Sequence, residues 1–343
     1  MFASQLSNEL MKRGHEVRVM ALHDGDADLP SEQVEILGKK RPLLFLLNKI
    51  AALNKVVKTW KPDIIQANAG DTTRIAVLSK TIFGWDVPIL MRNASTISQY
   101  LGSGLKKKYY QFLVDKVDAV ASVSQVSKDD FIMQFPHTIQ KVHLLPIGID
   151  PSLFEDAVSP VGLGKYILHV GGFTFEKNHT GLLNIFEKVL HQQPDAKLIC
   201  AGDGPLFTQI KDEVKKRNLE KQVLFLGKRN DIASLLKGAK MLVLPSIIEG
   251  LPGTILEAMY AKVPVIAYNT GGIGQVVNES TGWLIEKGND NKFANAICEL
   301  WNSHTNDLQV ILENAHLLVK KEYTNDRIAE GFENLYVSLK VKT

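Results

Sequence analysis

The chain has 343 residues, 45% of them hydrophobic and 22% charged, with a formal net charge of +3 at pH 7. This length suits two domains rather than one core, no apolar run is long enough to span a membrane, and the nearly balanced charge gives no reason to expect nucleic-acid binding. Because Cys200 and Cys298 form neither a disulfide framework nor a metal-binding spacing, we expect a reducing, cytoplasmic location.

The first half of the chain alternates helical and extended patterns. Residues 2–14 have the pattern of an amphipathic helix and residues 15–22 that of a strand. Further strands are predicted at 62–68, 87–93, 118–124 and 141–150, and helices at 47–60, 72–83, 105–116 and 127–134. This alternation predicts an α/β, Rossmann-like domain. Because such a domain normally opens with a strand and a glycine-rich loop, we expect that its leading strand is missing.

The second half repeats the same alternation after a linker. Residues 150–164 are rich in Pro, Gly and Asp, which indicates a boundary between domains. Strands are then predicted at 165–171, 196–202, 223–227, 241–246 and 263–268. Residues 325–340 have the pattern of an amphipathic helix. We therefore predict a second Rossmann-like domain with a parallel sheet.

The segment 246–274, SIIEGLPGTILEAMYAKVPVIAYNTGGIG, carries the clearest functional signal. A buried strand leads into a glycine-containing loop and then a helix, so free backbone N–H groups at the start of that helix could bind a phosphate. Glu249 and Glu257 lie at the same place. Thr254 and Glu257 also have the spacing of a capping box, and the loop glycines suit a tight turn, so purely structural roles stay open for them.

The same segment resembles the donor-site signature of the retaining glycosyltransferases of family 4, which have the GT-B fold. That signature is SxxEGxPxxxLEAMAxGxPVIAxxxGG, with two glutamates separated by seven residues. The chain matches it at Ser246, Glu249, Gly250, Pro252, Glu257, Ala258, Met259, Pro264, Val265, Ile266, Ala267, Gly271 and Gly272. The resemblance covers residues 3–340 and is stronger in the second half.

The resemblance implies two Rossmann-like domains that face a cleft, with a last helix that crosses back onto the first. We expect an acceptor-side domain at 1–155, a nucleotide-sugar-binding domain at 156–322 and the returning helix at 323–343. Glu249 would hydrogen-bond a donor-sugar hydroxyl, and Glu257 would accept both ribose hydroxyls. The backbone that meets sugar and phosphate would run through Gly250, Leu251, Pro252, Gly253, Thr254 and Ile255. The two glutamates would not be the acid and nucleophile of a glycosidase.

The diphosphate that leaves in such a reaction gains charge, which the site must stabilise. The family supplies an Arg and a Lys in the pattern GR…EKG; after Gly171, this chain matches it at Glu176 and Lys177 but has Gly172 in place of the Arg. The alternative for Lys177 is a solvated loop lysine. His179 and Arg229 are candidates to replace the lost charge. No acidic pair follows a strand in the second half, so we expect neither a metal nor a cofactor.

The nucleobase and acceptor sides are less specific. The resemblance implies that Gly227, Lys228 and Arg229 cradle the nucleobase, and Gln275 departs from the usual Glu. On the acceptor side, Arg92, Asn93 and Asn68 follow predicted strands; Arg92 could bind a phosphate or carboxylate, and its alternative is a surface ion pair. Two basic stretches with apolar neighbours, at 38–62 and 106–110, suggest contact with an anionic membrane or, alternatively, ordinary solvated helix faces.

These observations predict a retaining hexosyl-type glycosyltransferase that uses a nucleoside-diphosphate sugar and a glycan or lipid-linked acceptor. We expect a role in cell-surface polysaccharide biosynthesis, in the cytoplasm or at the inner face of the membrane. Two alternatives share the fold: a pseudoenzyme that binds nucleotide without transferring sugar, favoured by Gly172, Gln275 and the missing strand, and a GT-B epimerase or phosphorylase. A dehydrogenase is excluded because the chain lacks a dinucleotide fingerprint.

Overall fold

The computed structural model describes residues 2–22, 34–36, 45–303 and 305–341. The chain divides into two units, and each contains its own parallel β-sheet. The first unit comprises Met1–Gly148 with Asn325–Thr343, and the second comprises Ile149–Thr324. The predicted boundary at 155 therefore lies inside the second unit. The reason is local packing: a 3₁₀ turn at Pro151–Phe154 places the Phe154 ring 5.1 Å from the ring of Tyr260.

The first unit follows the predicted alternation of helices and strands. Its elements are α1 (Phe2–Lys12), β1 (Val19–Ala21), β2 (Val34–Ile36), α2 (Phe45–Trp60), β3 (Ile65–Ala67), α3 (Gly70–Phe83), β4 (Ile89–Asn93), α4 (Ser98–Leu101), α5 (Leu105–Asp115), β5 (Ala119–Ser122), α6 (Gln125–Gln134), β6 (Val142–Leu144) and α13 (Asn325–Lys340). Strands β3, β4, β5 and β6 form one parallel sheet in that order, and β1 pairs with β2. That a leading strand is missing before α1 stays a prediction.

The last helix, α13, belongs to the first unit, as the resemblance predicted. It packs beside α1 on one face of the sheet, where Leu10, Leu90 and Phe332 are buried in one apolar cluster. At the rim, Arg13 forms ion pairs with Asp326 at 2.7 Å and Glu333 at 3.0 Å. An apolar stripe thus determines where the helix packs, and the ion pairs follow at its edge.

The basic stretch at 38–62 is only partly available for a membrane. Its residues 38–44 lie outside the described residues. In α2, Ile50, Leu53 and Val57 are buried in the core of the first unit, whereas Leu47, one of the apolar residues on which the membrane prediction rests, is 57% exposed. Lys49 is also buried, with 1% exposure, and its Nζ donates to the carbonyl oxygen of Leu22. The exposed basic residues of the stretch are Lys55, Lys58 and Lys61.

The second unit is a doubly wound α/β domain. Its elements are β7 (Ile167–Val170), α7 (His179–Leu190), β8 (Leu198–Ala201), α8 (Phe207–Lys216), β9 (Val223–Gly227), α9 (Ile232–Gly238), β10 (Met241–Leu244), α10 (Gly253–Tyr260), β11 (Val265–Tyr268), β12 (Trp283–Ile285), α11 (Asp290–Trp301) and α12 (Asn306–Glu322). The parallel sheet has the order β12-β11-β10-β7-β8-β9. The predicted pair of Rossmann-like parallel sheets is confirmed.

This strand order determines where a ligand can bind. The chain moves outward from β7 in one direction through β8 and β9, and then returns to continue from β10 on the other side. The loops after β7 and β10 therefore diverge and leave a crevice at the carboxyl edge of the sheet. Strand β12 was not predicted, because three half-buried edge residues give no usable periodicity. No helix of the described chain combines the length and apolar character needed to cross a bilayer.

Candidate functional site

The two loops at the switch point of the second sheet are bonded to each other. The backbone N–H of Ile247, after β10, donates to the carbonyl oxygen of Glu176, after β7, at 2.8 Å. The side-chain amide of Asn178 donates to the carbonyl oxygen of Pro245 at 3.1 Å. Asn178 itself has φ +54° and caps α7 by accepting from the N–H of Gly181. These bonds bring together the segments that carry Lys177 and Glu249.

Lys177 and Glu249 form an ion pair across the crevice. The Nζ of Lys177 lies 2.5 Å from an Oε1 oxygen of Glu249. The side chain of Glu249 is 9% exposed and that of Lys177 is 22% exposed, so the pair is shielded from water but open on one side. Lys177 is therefore not a solvated loop lysine, and that alternative is wrong.

The loop that carries Glu249 rests on the two glycines that follow β11. A Cβ atom on Gly271 would lie 2.0 Å from the carbonyl oxygen of Glu249, and Gly271 has φ +55°. The N–H of Gly272 donates to the carbonyl oxygen of Gly250 at 2.5 Å. Both positions match the family signature, but sequence reasoning gave them no role. Their signal was a glycine pair separated by two residues from the end of a buried strand.

Helix α10 begins at Gly253 with Pro252 as its N-cap, and no side chain caps it. The Thr254 hydroxyl is buried without a hydrogen-bond partner, so the capping-box interpretation of Thr254 and Glu257 is wrong. Within the described ranges, the N–H groups of Leu251, Gly253 and Thr254 donate no hydrogen bond to the protein. A helix start with free N–H groups, beside a lysine, is a site suited to a phosphate.

Glu257 lies on the first turns of α10. Burial raises the pKa of its carboxyl group to about 7. In the part of the chain that the structure describes, burial alone shifts this pKa, and no hydrogen bond or ion pair to the carboxylate contributes. A buried carboxylate without an internal partner is costly, which is consistent with a group that awaits donors from a ligand.

Two buried histidines lie beneath the loop that carries Lys177. His169 bonds the carbonyl oxygen of Val243 through Nδ1 at 3.0 Å, and His179 stacks on Phe173 with ring centroids 3.9 Å apart. Burial and the nearby Lys177 charge lower the pKa of His179 to about 4. His179 is therefore neutral at pH 7 and cannot replace the missing arginine, which corrects that expectation.

Arg229 is also not free to supply the missing charge. Its guanidinium forms two hydrogen bonds to the Asp231 carboxylate, at 2.8 and 2.6 Å. At Gly172 itself, a Cβ atom would meet nothing closer than the Asp203 carbonyl oxygen at 3.6 Å. A Cβ atom at this position is therefore in ordinary van der Waals contact, so the backbone does not require a glycine here. Lys177 is the only basic residue of the 171–178 loop.

The predicted nucleobase residues lie at the same edge of the sheet. The N–H of Gly202, after β8, donates to the carbonyl oxygen of Gly227, at the end of β9, at 2.8 Å. A Cβ on Gly202 would lie 2.0 Å from the carbonyl oxygen of Gly171. The ends of β7, β8 and β9 are thus held together, and Gly227, with φ +65°, turns the chain towards Lys228 and Arg229. Their contact with a nucleobase stays a prediction.

The acceptor-side candidates of the first unit differ from one another. Arg92 lies over the Phe2 ring, 3.9 Å from its centroid, and burial lowers its pKa to about 10. It forms no ion pair with any described residue, so the surface ion-pair alternative is wrong. Asn93 is buried and donates to Ser122 and Ser127, which indicates a structural role.

Asn68 lies at the end of a hydrogen-bonded chain in the first unit. Its side-chain oxygen accepts from the Gln66 amide at 2.7 Å, and Gln66 accepts from the Tyr336 hydroxyl of α13. This arrangement leaves the Asn68 amide N–H groups without a partner among the described residues. Binding of an acceptor by Asn68 or Arg92 stays a prediction. In the described ranges no three His, Cys, Asp or Glu side chains form a cluster suited to a metal ion, and a metal-free site also stays a prediction.

Comparisons with known proteins match both halves of the chain. A sequence model described as Glycosyl transferases group 1 matches residues 157–318, and one described as Glycosyltransferase Family 4 matches residues 1–153. The chain is 25% identical over 317 residues to UDP-Gal:alpha-D-GlcNAc-diphosphoundecaprenol alpha-1,3-galactosyltransferase of Escherichia coli. The aligned region covers 86% of the chain and 80% of that relative.

A second relative and a solved structure agree. The chain is 24% identical over 289 residues to N-acetylgalactosamine-N,N'-diacetylbacillosaminyl-diphospho-undecaprenol 4-alpha-N-acetylgalactosaminyltransferase of Campylobacter jejuni, covering 82% of the chain and 77% of the relative. The crystal structure of Anabaena Alr3699/HepE in complex with UDP and glucose has a TM-score of 0.83 at 20% identity, covering 98% of this chain and 95% of that one. The predicted GT-B fold is confirmed.

Proposed function

The chain belongs to the glycosyl transferases of group 1, and we propose that it moves a hexosyl residue from a nucleoside-diphosphate sugar to a hydroxyl group of a glycan or lipid-linked acceptor. The configuration at the anomeric carbon is retained, and the product contributes to a cell-surface polysaccharide. The observation that carries this proposal is the Lys177–Glu249 ion pair at the switch point, beside the uncapped start of α10.

The site has the charges that departure of a nucleoside diphosphate requires. As the glycosidic bond breaks, negative charge develops on the leaving diphosphate. The Lys177 ammonium and the free N–H groups of Leu251, Gly253 and Thr254 are fixed donors that stabilise this charge. Because their loops are held by backbone contacts, they need little reorganisation as the reaction proceeds.

Glu249 and Glu257 bind the two ends of the donor in this proposal. Glu249, next to Lys177, accepts hydrogen bonds from the sugar hydroxyls. Glu257, one helical turn into α10, accepts both ribose hydroxyls, a role that its lack of a described partner supports. Retention rests on the family resemblance, and the anomeric configuration of the product, determined by NMR, tests it.

The names of relatives suggest which donors and acceptors to test first. The Escherichia coli relative is named for UDP-Gal and for an acceptor linked to diphosphoundecaprenol, and the Campylobacter jejuni relative for a diphospho-undecaprenol acceptor. The Anabaena structure contains UDP. We therefore propose a UDP-sugar as donor and a polyprenyl-diphosphate-linked sugar as acceptor.

A lipid-linked acceptor places the enzyme at the membrane surface, and α5 is the contact that we propose. Its first turns carry three consecutive lysines at 106–108, with Leu105 85% exposed and Tyr109 39% exposed beside them. Exposed apolar and basic side chains together suit an anionic membrane interface. By contrast, most of the apolar face of α2 is buried in the core, so α2 offers mainly its charges.

The proposal is tested in two steps. Titration calorimetry with UDP, GDP and ADP, without metal, should show micromolar binding of one nucleotide, which Glu257→Ala abolishes. Incubation with that nucleotide's sugar conjugates and a lipid-linked glycan extract should then add the mass of one hexose to the acceptor. Binding without transfer would indicate a pseudoenzyme, and conversion of the free nucleotide sugar without acceptor would indicate an epimerase.

A further inference from the structure

The two residues assigned to different parts of the donor are bonded to each other. Lys177 is assigned to the diphosphate and Glu249 to the sugar, yet the Nζ of Lys177 lies 2.5 Å from Glu249 Oε1. A diphosphate that binds Lys177 therefore shares the single positive charge of that ammonium group with the Glu249 carboxylate. The outcome depends on which further hydrogen-bond donors reach Glu249.

The two candidate replacements for the missing arginine do not add a positive charge to this pair. Gly172 occupies the position at which the family has an arginine, and Lys177 is the only basic residue of the 171–178 loop. His179 is neutral because burial and Lys177 lower its pKa to about 4, and Arg229 is already paired with Asp231. A bound diphosphate and the Glu249 carboxylate therefore share the charge of Lys177.

A ligand with a sugar and one without differ in what they give to Glu249. The hydroxyl groups of a donor sugar can hydrogen-bond the carboxylate and compensate for the ammonium charge that the diphosphate shares. A free nucleoside diphosphate has no donor sugar, so the Glu249 carboxylate, which is 9% exposed, lies beside another anion without this compensation. An uncompensated buried charge is costly, and repulsion between the two anions adds to that cost.

On the basis of the proposed function, we propose that Glu249 determines specificity against the free nucleoside diphosphate. The Lys177–Glu249 pair selects the sugar-bearing donor and rejects the product that has lost its sugar. Discrimination of this kind arises from a repulsive element as much as from an attractive one. Its consequence for the reaction is rapid product release and weak inhibition by the product.

The experiment compares UDP with UDP-glucose, UDP-galactose and UDP-N-acetylglucosamine by titration calorimetry, with the GDP and ADP series in parallel. The variant is Glu249→Gln, which keeps the shape of the side chain and removes its charge. We expect the variant to bind the free nucleoside diphosphate about tenfold more tightly, which is the scale of one charge-assisted hydrogen bond. We expect its affinity for the matching nucleotide sugar to stay equal or fall.

A second variant tests the same competition from the opposite side. Gly172→Arg adds a cation where the backbone has room, the nearest atom to its Cβ being 3.6 Å away. This variant should bind the free diphosphate more tightly. When the two changes are combined, Glu249→Gln should raise that affinity by less than it does alone, because the diphosphate then has a second cation besides Lys177. If Glu249→Gln changes the affinity for the free diphosphate equally with and without Gly172→Arg, this expectation is contradicted.

The outcomes separate this inference from the proposed function. If the wild-type chain binds no nucleotide, the proposed donor site fails. If the wild-type chain binds nucleotide but Glu249→Gln weakens or leaves unchanged its affinity for the free diphosphate, the donor site stands and the discrimination by Glu249 is overturned. Thermal unfolding of the Gln variant at the wild-type temperature verifies that it is folded.

Discussion

Gly271 lies directly against the backbone of Glu249: a Cβ atom added to the glycine would be 2.0 Å from the Glu249 carbonyl oxygen. No real Cβ approaches an oxygen so closely, so any side chain at 271 would displace the loop that carries Glu249. The loop after β11 thus determines the position of Glu249, because Gly271 has no side chain that would push the Glu249 backbone away.

Gly271→Ala should therefore lower both stability and nucleotide-sugar affinity. The substitution adds the strain of φ +55° in a residue with a Cβ, about 1–2 kcal/mol, and shifts the loop. The matched control is Gly288→Ala, since Gly288 has φ +85° but nothing within 4 Å of its Cβ. Equal losses of affinity in the two variants, by titration calorimetry, would show that the contact with Glu249 is irrelevant.

Lys177→Ala should weaken nucleoside-diphosphate binding by about 1.5–3 kcal/mol, the contribution of a hydrogen bond to a charged group. Calorimetry measures this loss, and Lys177→Arg should recover part of it because the charge is retained. Lys292→Ala, which removes an exposed lysine of α11, is the control and should change affinity little. If Lys177→Ala and the control bind the nucleoside diphosphate equally well, Lys177 does not contact the diphosphate.

Glu257→Gln should stabilise the protein at pH 8 but not at pH 4.5. Burial raises the carboxyl pKa from 4.5 to about 7, so the folded state keeps a proton that the unfolded state loses between these values. The free energy of unfolding therefore falls as the pH rises through this window, and the neutral variant avoids a loss of about 2–4 kcal/mol. Urea unfolding of both proteins across this pH range measures the difference.

The same pKa predicts the pH dependence of nucleotide binding. Only the ionised carboxylate of Glu257 accepts both ribose hydroxyls, so wild-type affinity should rise between pH 6 and pH 8. The Glu257→Gln variant should bind nucleotide more weakly. Its affinity should change with pH only as the phosphate of the ligand titrates. A wild-type profile parallel to that of the variant would argue against contact between Glu257 and the ribose.

Replacing the three lysines at 106–108 with Gln should reduce binding to anionic phosphatidylglycerol vesicles at low salt. Each basic residue near such a surface contributes about 1 kcal/mol, and salt screens this attraction. The matched control replaces Lys55 and Lys58 of α2 and Lys61 directly after it; the apolar residues Ile50, Leu53 and Val57 of this helix are buried. Vesicle sedimentation measures the effect, and failure of the wild-type protein to sediment with vesicles would end the proposal of membrane contact.

The sequence by itself determined the class of fold and the composition of the candidate site. Buried parallel strands are nearly continuous apolar runs, and strand–loop–helix order places their following loops at one edge of a sheet. These local patterns were enough to predict both Rossmann-like units, the helix at 325–340 and the segment that holds Glu249 and Glu257.

Only the tertiary structure decided which of these residues meet. Lys177 and Glu249 are 72 positions apart, and their ion pair depends on β7 and β10 being neighbours in the sheet. Burial, likewise, is a property of the packed chain. It makes His179 neutral, raises the pKa of Glu257 and places Ile50, Leu53 and Val57 of α2 in the core, because the solvation of a side chain depends on neighbours that lie far away in the sequence.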